Sequence, residues 1–174
     1  MKAVFLKSPL YRVRQLTLSL KAAPLGKAEL EFVKGLLNPQ QAELYFALTL
    51  YEQRHALRVC RTLEEAGYGA DRELLQAALL HDLGKRDQQN GRSVPLWGKV
   101  ASVVLTKIGG RKLVSRLANP DVNSWRYVFW LQTNHERRGA AMAQTVGSSS
   151  RVVALIAGKD DPAVDILRWA DDQN

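Results

Sequence analysis

The sequence is poor in the residues that usually announce chemistry. It has one cysteine, three histidines and few aromatics, and nowhere does an apolar run approach 18 residues. Each scarcity excludes something. A lone Cys60 forms no internal disulfide, which suits a reducing compartment. Placed within an apolar helix pattern, Cys60 reads as a small core residue rather than a nucleophile. Without a long apolar run no transmembrane helix is expected. The N-terminal residues are basic, but Arg12 and Arg14 interrupt their apolar positions, so no signal peptide is read and the expected location is the cytoplasm. There is no GxxxxGK[ST] loop, no GxGxxG after a strand, no HExxH and no cysteine cluster for zinc. The remaining composition, 46% hydrophobic and 24% charged over 174 residues, is that of one ordinary globular domain.

The net charge of +8 is unevenly spread. Residues 1–28 carry six bases and no acid, and residues 84–116 carry eight bases against Asp87 alone. Such stretches suit anionic partners, whether nucleic acid, nucleotide or lipid headgroup, and equally suit solvated helix faces. No nucleic-acid reading motif accompanies them, which places nucleic acid behind a small phosphorylated ligand.

Helical periodicity recurs along the chain with short punctuation, and alternating β-branched runs are scarce, which predicts an all-α bundle. Leu10, Val13, Leu16 and Leu20 make a first amphipathic helix ending before Pro24. It is expected to dock on the bundle; a basic polar side with Arg12, Arg14 and Lys21 also allows peripheral contact with a membrane surface. Further helices are expected at 27–37, 40–51 and 52–66, stopped by Gly67 and Gly69. Asp71 caps a helix that runs to His81, with Gly84 as its C-terminal stop. Helices at 95–108, 110–118, 123–133, 135–147, 150–157 and 162–171 complete the reading. Residues 1–38 are expected to form a helical extension packed on a main domain, 39–174.

The string "AALLHDLGK" carries the chemistry. A buried carboxylate at the end of an apolar helix needs a metal, a cation or a proton. His81 and Asp82 diverge by about 100° on a regular helix, so both face one ion only if the helix unwinds near Gly84. Alone, the pair reads as a helix terminus, with His81 serving the dipole and Asp82 capping the following turn. His55 in "EQRHALRVC" and Asp171 in "RWADD" change the balance. Two imidazoles and two carboxylates from three helices make a mixed N/O set for one divalent metal: Mn, Fe, Co, Ni or Mg.

With these residues in view, "RHALRV", "LLHDLGK" and "RWADD" resemble the successive H…HD…D signature of the HD-domain superfamily of metal-dependent phosphohydrolases, over roughly residues 40–174. The resemblance implies a helical fold and hydrolysis of a nucleotide or other small phosphoester. It implies His55, His81, Asp82 and Asp171 as metal ligands, Asp171 being preferred to Asp172 because it follows the alanine. Asp82, beside the water, is the catalytic candidate. Lys85, three residues on, and Arg54 are candidates for holding the anionic group. His135, in "NHERRGAAMAQ", resembles an additional histidine of many such proteins and would touch the substrate. Where a companion histidine would follow "VVALI", this chain has Gly158 and Lys159, so one metal is expected rather than two. That departure also motivates a rival, a degenerate domain that binds a nucleotide or a protein without turnover.

Overall fold

The computed structural model of the protein describes residues 23–86, 96–159 and 161–174. The expected helix at 10–20 lies outside them. Eight α-helices follow one another among the described residues, and they form a helical bundle with the N-terminal helix docked on its core helices.

Local chemistry starts each helix. In α1 (Lys27–Leu36) the Glu29 carboxylate accepts from the Gly26 amide at 2.7 Å. In α2 (Pro39–Phe46) Asn38 and Gln41 cap each other's amides, and proline takes the first helical position, where no N–H is needed. The sequence suggested that this helix continues to Tyr51. Instead it stops at Phe46, because Thr49 and Glu52 form a capping box that starts α3 (Leu50–Leu63). A π-turn, Glu64–Tyr68, follows, in which Gly67 takes φ 94° and breaks the helix. Gly69, the other expected stop, keeps an ordinary φ of −60°.

Helix α4 (Arg72–Leu80) is capped by Asp71, as expected, through the Leu74 amide at 3.1 Å. Leu74, Leu75, Ala77, Ala78, Leu79 and Leu80 are all buried, since α1, α2, α3, α7 (Ser150–Ala157) and α8 (Ala163–Gln173) surround this helix. The α1 docking is polar at its rim. Arg54 pairs with Glu29 at 2.7 Å, Gln76 donates to the Leu36 carbonyl, and the Arg61 guanidinium lies over Phe32.

Two of the expected helices, 123–133 and 135–147, merge into α6 (Tyr127–Thr145). In α5 (Leu96–Leu117), by contrast, Gly110 takes a non-helical φ of 68° with ψ −179° and parts the helix into two segments, as expected for 95–108 and 110–118. Helix α5 packs chiefly on α6 and shares with it a second, smaller core of Val114, Val128, Phe129 and Leu131. Three of the four tryptophans, Trp97, Trp125 and Trp169, are exposed rather than buried in the core.

Gly84 has a role other than the expected left-handed helix stop. It sits in a 3₁₀ turn, Leu83–Lys85, and its φ is not positive. A β-carbon there would lie 2.0 Å from the His135 carbonyl oxygen and 2.7 Å from the Gly139 nitrogen. Glycine lets the turn that carries the His-Asp pair press backbone to backbone on α6.

Candidate metal centre

Three helices converge on one place. His55 projects from the first half of α3, His81 and Asp82 follow the last residue of α4, and Asp171 lies in the last turn of α8. Helix α8 buries Ala163, Val164, Leu167 and Ala170, a face with helical spacing that packs on α3 and α4 and carries Asp171 to the histidines. One ligand atom from each of His55, His81 and Asp171 lies within 4.8 Å of the others. That all-helical arrangement of two imidazoles and a carboxylate is consistent with an HD-type metal site.

The distances define the centre. His55 Nε2 lies 2.9 Å from Asp171 Oδ1 and 3.9 Å from Asp82 Oδ2. His81 Nε2 lies 3.2 Å from Asp82 Oδ1 and 3.6 Å from Asp171 Oδ1. Both imidazoles and Asp82 are buried, whereas the Asp171 side chain keeps 40% of its exposure and forms the rim. The unwinding needed for His81 and Asp82 to face one place is present: α4 ends at Leu80 and Asp82 leaves helical geometry with ψ near 1°.

The His81 tautomer is decisive. Its Nδ1–H donates to the Ala78 carbonyl at 2.8 Å, so in the neutral ring Nε2 carries a lone pair. That lone pair faces two carboxylates, and among the described residues His81 Nε2 has no hydrogen-bond partner. Lone pair against carboxylate is repulsive, and a buried polar atom without a partner is costly. Only a proton or a cation relieves it. Burial pulls the His81 pKa down, but Asp82 and Asp171 outweigh that and hold it up at about 9. Asp82 is pushed up by burial, yet His81, Lys85 and His55 bring it well below the carboxylate range. Asp171 follows the same pattern: burial pushes it up, and the adjoining His55 and His81 imidazoles outweigh that and lower it. Two carboxylates therefore stay charged in a half-buried place, and the metal-free site makes up its missing positive charge by protonating His81. A cation held by nitrogen and oxygen donors replaces that proton, so the residues present fit one.

Lys85 adds the remaining charge. Its Nζ lies 2.7 Å from Asp82 Oδ1; burial would lower its pKa, but Asp82 and Asp171 raise it above the usual lysine value. His135 on α6 is held by its Nδ1–H, which donates to the Gln132 carbonyl at 2.6 Å, and it feels the charges of Lys85 and Asp82. Burial, then Lys85, lowers its pKa, so its Nε2 is a lone-pair acceptor at neutral pH. Arg54 is engaged elsewhere, pairing with Glu29 and donating to the Ala23 and Pro24 carbonyls.

Two features were missed in the sequence. The Tyr51 ring stacks on His55 with centroids 6.3 Å apart, signalled only by its position one turn earlier. Arg138 donates to the carbonyls of Gly84 and Arg86 and so clamps the turn that follows the His-Asp pair. A groove of about 330 Å³ lined by Leu44, Ala47, Leu48, Leu83, Arg86 and Met142 opens beside this turn, but the His/Asp cluster does not line it. Cys60 is fully buried and burial pushes its thiol up to about 12, which makes it an inert core residue, as expected.

No family model matches the chain, and neither a curated protein nor a solved structure shows significant similarity to it.

Proposed function

We propose that the chain is a metal-dependent phosphohydrolase of the HD kind, acting on a nucleotide or another small phosphoester. The observation that carries this reading is the His81 Nε2 lone pair, locked by the Ala78 carbonyl and directed between Asp82 and Asp171. His55, His81, Asp82 and Asp171 would hold one divalent cation. Such a cation supplies positive charge to a phosphate oxygen and acidifies water.

The chain's own groups supply the rest of the chemistry. Asp82, with its depressed pKa, is a weak base; it orients the attacking water by accepting a hydrogen bond. Lys85 holds the anionic phosphoryl oxygens. His135, neutral at its Nε2, accepts a hydrogen bond from substrate rather than donating a proton. The new bond joins water oxygen to phosphorus, the leaving P–O bond breaks, and the water's proton passes to the leaving oxygen. Arg54 stays outside this set because its guanidinium is engaged with the N-terminal segment.

One observation favours a second reading, a nucleotide-binding module without turnover. Lys85 already pairs with Asp82 at 2.7 Å, and Gly158 and Lys159 stand where a further histidine would serve a second metal. Measurement of bound metal, followed by a screen of nucleotides and phosphomonoesters with Mn, Co or Ni, separates the two. Turnover that disappears in Asp82→Ala supports hydrolysis. Equal turnover in both proteins ends the enzymatic reading, and thermal stabilisation by a nucleotide without product favours the second.

A further inference from the structure

The outward side of α5 is apolar where it should be wet. Trp97, Val104 and Ile108 are spaced by seven and four residues, so they share one stripe along the helix. Their exposures are 51%, 47% and 76%. This stripe is not a fringe of the core. Gly98, Ser102 and Val114 are buried on the inward side, with Gly98 against Val128 of α6. The loop after α5 also exposes Val122 and Trp125. Arg126 ties that loop to the helix end by donating to the Leu117 carbonyl at 2.6 Å and the Arg116 carbonyl at 2.9 Å.

The charge along the same helix has one sign. The sequence of α5 contains Lys99, Lys107, Arg111, Lys112 and Arg116 and no acid. Lys112 and Arg116, in the segment after Gly110, are exposed. Among the described residues no helix is long and apolar enough to cross a membrane.

From this combination we infer that α5, with the Val122–Trp125 loop, is a docking surface for an anionic lipid bilayer. Tryptophan settles at headgroup depth, isoleucine and valine enter the acyl boundary, and basic side chains reach back to the headgroups. A helix sequence with five bases and no acid matches the uniformly negative potential of an anionic leaflet. A nucleic acid would use the bases but gain little from the Trp97–Val104–Ile108 stripe. This inference is independent of the metal centre.

Co-sedimentation of the full chain with vesicles tests it, comparing phosphatidylcholine alone with phosphatidylcholine mixed with phosphatidylglycerol. The chain is expected to partition only onto the mixed vesicles, with salt weakening the binding. Val104→Asp combined with Ile108→Asp should lower partitioning by at least about tenfold. Lys112→Glu and Arg116→Glu should each lower it by at least about fivefold, one charge's worth near the surface. All four positions are exposed, so unchanged circular dichroism is the control for folding. Wild-type protein that ignores the mixed vesicles overturns the inference, as does partitioning indifferent to the Val104/Ile108 variant. A dimer broken by that variant, without vesicle binding, would make the face a contact between copies and equally overturn it. So would RNA binding that depends on Lys112 and Arg116 but not on Val104 and Ile108, without vesicle binding.

Discussion

His81 Nε2 and Asp82 Oδ1 lie 3.2 Å apart although the two residues are neighbours in the chain, and among the described residues the His81 nitrogen has no hydrogen-bond partner. Regular helix would turn consecutive side chains about 100° apart. They meet because α4 stops one residue before His81, and the turn at 83–85 is drawn against α6 through Gly84. The geometry of the candidate centre thus depends on a backbone contact between Gly84 and His135, far apart in sequence.

Removing a ligand should strip the metal while leaving the fold. His81→Ala and Asp171→Ala are each expected to weaken binding of Mn or Co by more than about 100-fold, beyond what changing a supporting residue costs. Equilibrium dialysis with metal analysis reads this directly. Retention of full metal content by His81→Ala would rule out the proposed centre.

The pH dependence has a definite sign. The His81 pKa in the metal-free fold is about 9, above its ordinary 6.5, so its stabilisation is complete below pH 6.5 and is lost as pH rises through 9. Asp82 and Asp171 are shifted the other way; their stabilisation is present above the ordinary carboxylate pKa and is lost on acidification. Metal-free protein should therefore melt at lower temperature at about pH 10 than at about pH 7, a difference that bound metal reduces. Metal affinity should rise by about tenfold per pH unit between roughly pH 6.5 and 8.5, because one proton leaves His81 on binding. Calorimetric titration in buffers of different ionisation enthalpy counts that proton.

Two glycines should respond oppositely to alanine. In Gly84→Ala the new methyl meets backbone atoms of His135 and Gly139, which cannot step aside, and the loss should reach about 3 kcal/mol. In α1, a β-carbon on Gly35 meets nothing within 4 Å among the described residues, so Gly35→Ala should be neutral or stabilise by a few tenths of a kcal/mol, ~0.5 at most. Thermal melts separate the two by roughly 5 °C or more.

Arg151 joins three carboxylates, those of Asp71, Glu73 and Asp161, at 2.6, 3.3 and 2.9 Å. The side chain keeps 34% of its exposure, so solvent screens these pairs. Arg151→Ala is expected to cost about 1 kcal/mol, and the loss should shrink at high salt. Denaturant titration at low and high ionic strength measures both.

Periodicity and caps in the sequence determined the all-helical class, the Asp71-capped central helix and the 150–157 helix. They did so because amphipathic spacing and N-cap side chains act within a few residues. His55, His81 and Asp171 stood out for the same reason, as polar groups set in or at the ends of apolar stretches. Boundaries were lost where competing local signals were close in strength: Thr49 and Glu52 claimed Leu50 and Tyr51 for α3, and α6 runs on through the break expected near residue 134. Only the tertiary structure decided that Gly84 serves a backbone contact, that Arg54 anchors the N-terminal segment, and that α5 leaves Trp97 and Ile108 in water. Each of these depends on which surfaces meet across long sequence separations, and a one-dimensional pattern records that a face is apolar without recording what covers it.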